Sequence, residues 1–444
     1  MSARGVCRIS THTVVTPTRP LVCCIAGGAF LDSHVPPSSI KLGSCGSDFP
    51  SLARTVDGRS LVFLDGPAGT QVPRQVIAAM TRYYETSNAN THGSFLTSLE
   101  TDAVIAGTRQ AACTLLGAPH PRTISFGANM TTLAFSLSRG LARAFREGDR
   151  VLVSGLDHEA NRGPWITLAE RGVIIDEIGI TPGCALDEYD FRRKVTPRTR
   201  LVAIGGASNA FGTVNNIALA RELTRKVGAW LLIDAVHFAP HFLIDVVALD
   251  VDFLLCSAYK FYGPHVGILY ARDGLLDSLD VDRLRTQDQD APSRIETGTL
   301  NHAALAGVTA AIEYIASFGD GAGLRERIAA AMEHLGRHER WLGSVLYESL
   351  RRIPGVTVHG QSFDVPMRAP TLAITSASMP AAELSARLAK RGIFTWAGHF
   401  YAIRPMELLG LLARGGVVRA GISAYTTPDD IEAYAAALDE ELHG

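Results

Sequence analysis

From about residue 61 onward, short apolar runs alternate with stretches whose apolar residues recur every three or four positions. LVFLD (61–65) is strand-like, and RTISF (122–126), VLVSG (151–155), VIIDEI (173–178), LVAIGG (201–206), LLIDA (231–235), DFLLCSA (252–258) and VGILYA (266–271) are short and continuously apolar. Such runs suit strands buried on both faces. VPRQVIAAMTRYY (72–84), TTLAFSLSRGLARAF (131–145) and IALARELTRKVGA (217–229) have helical spacing and fall between several of them. The alternation predicts a three-layer α/β domain around a mainly parallel sheet of six or seven strands. No helix fits between 258 and 266, so the final strand is expected to run against its neighbours.

The character changes after two further helical stretches, 301–318 and 326–350. TLAITS (371–376), PAAELSARLAKRG (380–392), VVRAGIS (417–423) and a last helix predict a smaller α/β domain. That last helix carries Thr427 as N-cap, Pro428 at its first position and Asp430 two further on, all start signals. The division expected is an N-terminal extension over 1–45, a large domain over 46–310 and a small domain over 311–444, with 46–80 free to pack on the small domain.

Composition narrows the function classes. The chain has 444 residues, 47% hydrophobic and 19% charged, which suits a buried core rather than disorder. A formal charge of -2 and no cluster of Lys and Arg argue against a nucleic-acid partner. Cysteines 7, 23, 24, 45, 113, 184 and 256 show no CxxC spacing, so neither a zinc ribbon nor a disulfide scaffold is indicated, and no metal is expected. Residues 20–30, PLVCCIAGGAF, are too short and interrupted to span a bilayer, and the Arg-bearing stretch before them lacks the apolar run of a signal peptide. The expected location is cytoplasmic.

In an open parallel sheet, ligands bind beyond the carboxyl ends of the strands, and five polar signals fall at such ends. FGANMTT (126–132) is a Gly-bearing turn into a helix, able to present amides to a phosphate. GLDHEAN (155–161) carries His158, a helix cap or a ring able to lie on another ring. SNAFGT (208–213) carries Asn209 before a glycine turn. IDAVH (233–237) ends an apolar run on Asp234, whose carboxylate needs a cap, a hydrogen bond or a cationic partner there. DFLLCSA leads directly to Lys260, where desolvation would depress the amine's pKa and raise its neutral fraction. A structural salt bridge is the alternative for the lysine.

Together these residues meet the needs of pyridoxal phosphate: an amine for its aldehyde, a carboxylate opposite its ring nitrogen, an anion nest and a flat group above the ring. No GxGxxG follows the first strand and no GxxxxGK[ST] occurs. The motifs FPSL, FLDGPAGTQVP, NANTHGSF, SAYKFYGPHVGILY, ETGTLNHAALAG and FTWAGHFYA, in that order, make the sequence resemble the cysteine desulfurase-like subfamily of the class V aminotransferases, fold-type I pyridoxal phosphate enzymes. The resemblance runs from about residue 46 to the C-terminus. It implies a large domain with a mainly parallel seven-stranded sheet and a smaller C-terminal α/β domain. It also implies that Lys260 forms the imine, Asp234 pairs with the pyridine nitrogen and His158 stacks on the ring. Asn209 and His237 would lie near the phenolic oxygen or substrate, and the amides of Ala128 and Asn129 with the Ser257 hydroxyl would hold the phosphate. Thr299 would reach the phosphate of a neighbouring subunit, making a homodimer part of the site. Arg419 would grip the α-carboxylate of an amino-acid substrate.

One departure bears on the reaction. Desulfurases proper carry a mobile cysteine on a loop before the final strand, whereas the comparable loop here, WAGHFYAIRPME (396–407), has Tyr401, and no cysteine follows Cys256. Transfer through a persulfide is therefore not expected. Elimination at Cβ, a C–S lyase reaction in which thiolate leaves unaided, ranks first. Carbon–carbon bond formation or decarboxylation ranks second and transamination third, with Arg404 a candidate at the substrate mouth. A non-catalytic scaffold is disfavoured by the retention of both Lys260 and Asp234.

Overall fold

The computed structural model describes residues 45–444, so the expected N-terminal extension lies outside the described residues apart from Cys45. Seven strands form the large sheet, side by side in the order Ile124–Gly127, Gly267–Ala271, Phe253–Ser257, Trp230–Asp234, Thr199–Gly205, Arg150–Ser154 and Ile174–Ile178. Gly267–Ala271 alone runs antiparallel to both neighbours, because the connection after Ser257 holds only the short turn Ala258–Lys260. The remaining strands are parallel and, except for the partly exposed edge strand Ile174–Ile178, largely buried, and their apolar side chains pack into cores on the two faces of the sheet.

Val62–Phe63 does not join this sheet. It pairs in parallel with Ile393–Phe394, and Asp65 bridges to Gly421, so this early segment is stitched to the C-terminal part of the chain. There a second sheet, wholly antiparallel, has the order Val356–His359, Thr371–Ser376, Val417–Gly421, Trp396–Gly398. Its first and last strands are short and only partly buried, which is why no apolar run marked them in the sequence.

The division expected at 310 falls inside the continuous helix His302–Ala316. The chain changes layers within the next helix, Leu324–Arg352: Met332 and Leu335 pack in the core of the large sheet, whereas Leu342, Leu346 and Leu350 pack in that of the small one. A 21-residue helix, Leu96–Leu116, was not expected from the sequence, because Ser98, Thr101 and Thr108 occupy the buried positions of its first half. Thr108 illustrates the point, donating to the carbonyls of Val104 and Leu305. The last helix begins as its sequence predicts: the Asp430 amide donates to the Thr427 hydroxyl at 3.2 Å, and the Thr427 amide to the Asp430 carboxylate at 2.8 Å. Such a reciprocal cap stabilises a helix by about 1 kcal/mol.

Candidate active site

Four parallel strands end together at Ser154, Gly205, Asp234 and Ser257, and a cavity opens at that edge, lined by Lys260, Asp234, His158, Asn209, His237 and Asn129 among others. Lys260 is 7% exposed, in the turn that follows its strand, and its ammonium donates to the Pro67 carbonyl. Burial draws its pKa down to about 7; the Arg419 charge adds to the effect and Asp234 opposes it. Asp234 is buried at the end of its strand, where its Oδ1 accepts from the Val236 amide at 2.9 Å. Burial pushes this carboxyl up to about 6, against the pull of that amide and of Lys260.

The lysine therefore presents a neutral amine above about pH 7. The apo-protein is therefore expected to take up pyridoxal phosphate faster as pH rises through about 7, with the rate level from about one unit above that value, as stopped-flow absorbance would record. A rate still climbing toward the ordinary lysine value, about 10.4, would contradict this.

His158 serves as the cap its sequence position allows, its Nδ1 accepting from the Ala160 amide at 2.9 Å, and this fixes the ring at the cavity wall. Burial lowers its pKa to about 4, with the charges of Lys260 and Arg419 helping, so the imidazole is neutral. The Tyr401 ring lies 5.5 Å from it. His237 bonds through Nε2 to the Thr371 hydroxyl at 2.9 Å. Asn209 donates from Nδ2 to the Phe400 carbonyl, and Arg419 donates from Nη1 to the Asn209 carbonyl, each at 2.9 Å. The guanidinium carbon of Arg419 lies 4.0 Å from the centre of the Phe400 ring.

Three buried atoms of this cluster have no partner: Nδ1 of His237, Oδ1 of Asn209 and Nε of Arg419. Unsatisfied buried polar atoms are costly and uncommon, so their convergence beside one cavity is the mark of a polar ligand. The anion nest is present as well. The helix Met130–Ala144 is capped by Asn129, whose Oδ1 accepts from the Thr132 amide at 2.9 Å, and the Met130 amide donates to the Ser257 hydroxyl at 3.1 Å. A Cβ at Gly267 would stand 2.3 Å from the Asn129 carbonyl carbon, so glycine is needed for the strand to pass behind this turn. Amine, carboxylate, flat ring and helix N-terminus together fit pyridoxal phosphate.

Not every predicted residue joins them. Ala128 and Thr299 line a neighbouring cavity with His265, so within one chain Thr299 does not face Lys260. Arg404, expected at the substrate mouth, is engaged by two carboxylates in the structure. Its Nε and Nη2 donate to the Glu177 carboxylate at 2.9–3.0 Å and its Nη1 to Glu407 at 3.0 Å, while Arg162 donates to the same Glu177 at 2.8 Å. The two carboxylates satisfy the guanidinium and tie the helix Ile403–Leu408 to the strand Ile174–Ile178. Arg404→Ala is expected to lower stability by at most about 1 kcal/mol, read from a denaturant midpoint, and to leave KM unchanged.

Tyr401 was expected at the substrate side of the site, whereas Phe400, Asp65 and Asp157 were missed. Phe400 and Tyr401 both lie in the left-handed backbone region, at φ 53° and 58°, a conformation uncommon for aromatic residues. It is held by the Glu159 amide donating to the Tyr401 carbonyl at 2.8 Å and by Asn209 on Phe400. Asp65, within the quoted FLDGPAGTQVP, places its charge where Arg419 feels it. Asp157 lines the cavity beside His158.

The class V aminotransferase profile matches residues 62–434. The chain belongs to the class V aminotransferase family. Among curated relatives, the "Cysteine desulfurase" of Synechococcus elongatus is 32% identical over 411 residues, 88% of this chain and 62% of that protein. The "Probable cysteine desulfurase" of Xylella fastidiosa is 32% identical over 422 residues, 91% of this chain and 97% of that protein. In fold, an apo cysteine desulfurase from Thermococcus onnurineus superposes with a TM-score of 0.82 at 24% identity, covering 91% of this chain and 99% of that one. Class V aminotransferases are pyridoxal phosphate enzymes, and the cavity of this member meets that cofactor's requirements.

Proposed function

We propose that this class V aminotransferase acts on an amino acid as a C–S lyase, eliminating the β-substituent without a persulfide-carrying cysteine. Residue 401 carries this reading. The tyrosine there is 70% exposed on a loop fixed over the site, and among the described residues the cysteines, 45, 113, 184 and 256, are all buried. Cys256, the one nearest Lys260 in sequence, is driven up to about 12, mainly by burial, and so stays a thiol. Among the described residues, no cysteine stands exposed at the mouth to supply a nucleophilic thiolate.

When bound, pyridoxal phosphate supplies an electron sink for cleavage at the substrate Cα. Arg419, with Nε unpartnered and one face covered by Phe400, holds the substrate carboxylate through its planar fork. Lys260, its pKa near 7, takes the Cα proton as a neutral amine and returns a proton as an ammonium group. Asp234 supplies fixed negative charge at the strand ends, and the neutral His158 ring forms a wall that adds no charge. Thr299, set apart from Lys260 within one chain, acts in this reading across a homodimer interface.

The test is incubation of the holoenzyme with a panel of amino acids, cysteine and cystine included, with the products identified by mass spectrometry. Pyruvate together with sulfide or a persulfide product supports the lyase. Carbon dioxide, or a carbon-bonded adduct without pyruvate, assigns the site to carbon-bond chemistry instead.

A further inference from the structure

Two exposed aromatic rings stand near the cavity with no task in the chemistry above. Tyr401 is 70% exposed, and its ring lies 5.5 Å from that of His158, which lines the cavity. Trp396 is 51% exposed on the edge strand Trp396–Gly398, where it is the register partner of Arg419. Directly opposed residues of antiparallel strands project from the same face of a sheet. That face is the one turned to the large domain. Val418 and Ala420 point into the helix-covered core of the small sheet, whereas Ala373 and Val417 pack with Leu156, Ala210 and Phe211, and Arg419 reaches the Asn209 carbonyl. The indole therefore lies on the same side as the guanidinium assigned to the substrate carboxylate.

The loop between these rings is held in place. The Tyr401 carbonyl accepts from the Glu159 amide at 2.8 Å and the Tyr401 amide donates to Nδ1 of His399 at 3.2 Å, while Phe400 is anchored by Asn209 below and covers Arg419. A left-handed backbone at two successive aromatic residues is costly and persists only where the surroundings impose it. The charged neighbours of the loop are already paired, Arg404 with Glu177 and Glu407, and Glu159 with Arg162. A charged side chain would find no counter-ion in them. Large rings left in water beside an enclosed polar site suit an apolar part of a ligand.

We propose that Trp396 and Tyr401 form an aromatic subsite for the group carried on the substrate's β-sulfur, so that the enzyme acts on S-aryl or S-heteroaryl cysteines in preference to cysteine itself. The inference rests on the lyase reading for its reaction. With the carboxylate on Arg419 and Cα at Lys260, the far end of the side chain is left to the two rings. In the reaction the Cα–H and Cβ–S bonds break, Lys260 takes the proton and sulfur departs with the bonding pair as an aryl thiolate. Water then converts the three remaining carbons to pyruvate and ammonia. A thiolate whose charge spreads into an aromatic ring is the better leaving group, which suits a site whose described cysteines are all buried.

Binding is tested apart from turnover by calorimetry of the holoenzyme with L-homophenylalanine and L-norvaline, in which a methylene replaces the sulfur of S-phenyl- and S-methylcysteine and no thiolate can leave. L-Homophenylalanine is expected to bind at least about 10-fold more tightly. Trp396→Ala and Tyr401→Ala should each narrow that ratio by about 2–10-fold, the range for one contact between rings, with the affinity for L-norvaline unchanged. Trp396→Phe and Tyr401→Phe should restore most of it. Equal affinity for the two probes in the wild type, or a ratio that neither alanine variant narrows, overturns the proposal. Turnover of the two thioethers separates the subsite from the reaction. Pyruvate released from S-phenyl-L-cysteine with the higher kcat/KM supports both; tighter binding of L-homophenylalanine with no pyruvate from either thioether supports the subsite and overturns the lyase reading. Pyruvate from both thioethers at equal kcat/KM upholds the lyase and overturns the subsite.

Discussion

Lys260→Ala is expected to lower turnover by at least about 10²–10⁴-fold, the range associated with loss of a positioned general base, and further because the same amine anchors the cofactor. The magnitude follows from a site in which this amine has no substitute. His158 and His237 are neutral and fixed by the Ala160 amide and the Thr371 hydroxyl, and Arg419 is too basic to accept a proton near neutrality. Removal of Lys260 leaves the buried Asp234 without its cationic neighbour, so the thermal midpoint is expected to fall, while far-ultraviolet circular dichroism below that midpoint should match the wild type. Turnover at the wild-type rate in a variant with that spectrum would remove Lys260 from the mechanism. Lys260→Arg should not restore activity, because a guanidinium has no neutral form near pH 7.

Asp234→Asn is expected to reduce turnover by about 10²–10³-fold, comparable to losing one fixed electrostatic group from an enclosed site. The backbone around it should remain, since an asparagine oxygen can still accept from the Val236 amide that Asp234 engages at 2.9 Å. The missing property is charge, so cofactor content after dialysis and turnover should both fall while the thermal midpoint holds or rises. Asp234→Glu should rescue poorly. The aspartate sits at a strand terminus in register with Gly205, where an added methylene would displace the carboxylate from its amide donor. Full activity in Asp234→Asn would show that fixed negative charge at this strand end is not required.

The parts of the site legible in the sequence were those that interrupt a pattern. Lys260 and Asp234 stand where an apolar strand stops, and the solvation cost of a charge there points to function even before a cofactor is named. The antiparallel strand Gly267–Ala271 was legible through chain length alone, because no crossover fits behind it. Phe400 and Asp157 interrupt nothing. Phe400 lies on an irregular loop and acts through its place over Arg419, a contact between residues on different elements. Asp157 adjoins His158 in a turn, and its place in the cavity wall depends on a hydrogen bond from the Gly205 amide, on a strand distant in sequence. Arg404 shows the converse: an arginine near the expected mouth drew attention, but tertiary packing gave it to Glu177 and Glu407. The helix Leu96–Leu116 was hidden because its buried threonines and serine are satisfied by hydrogen bonds that no periodicity reveals.

The most direct test of the account is reduction of the pyridoxal phosphate-loaded protein with borohydride, followed by peptide mass mapping. The chain has five lysines, at 41, 194, 226, 260 and 390, so the attachment point can be assigned without ambiguity. Lys194 and Lys226 are engaged elsewhere, donating to Asp190 and Glu222 at 2.7 and 2.5 Å. The account predicts the cofactor's mass on the peptide that contains Lys260 and on no other. Stable attachment at another lysine, or none at all in a folded protein, would contradict it.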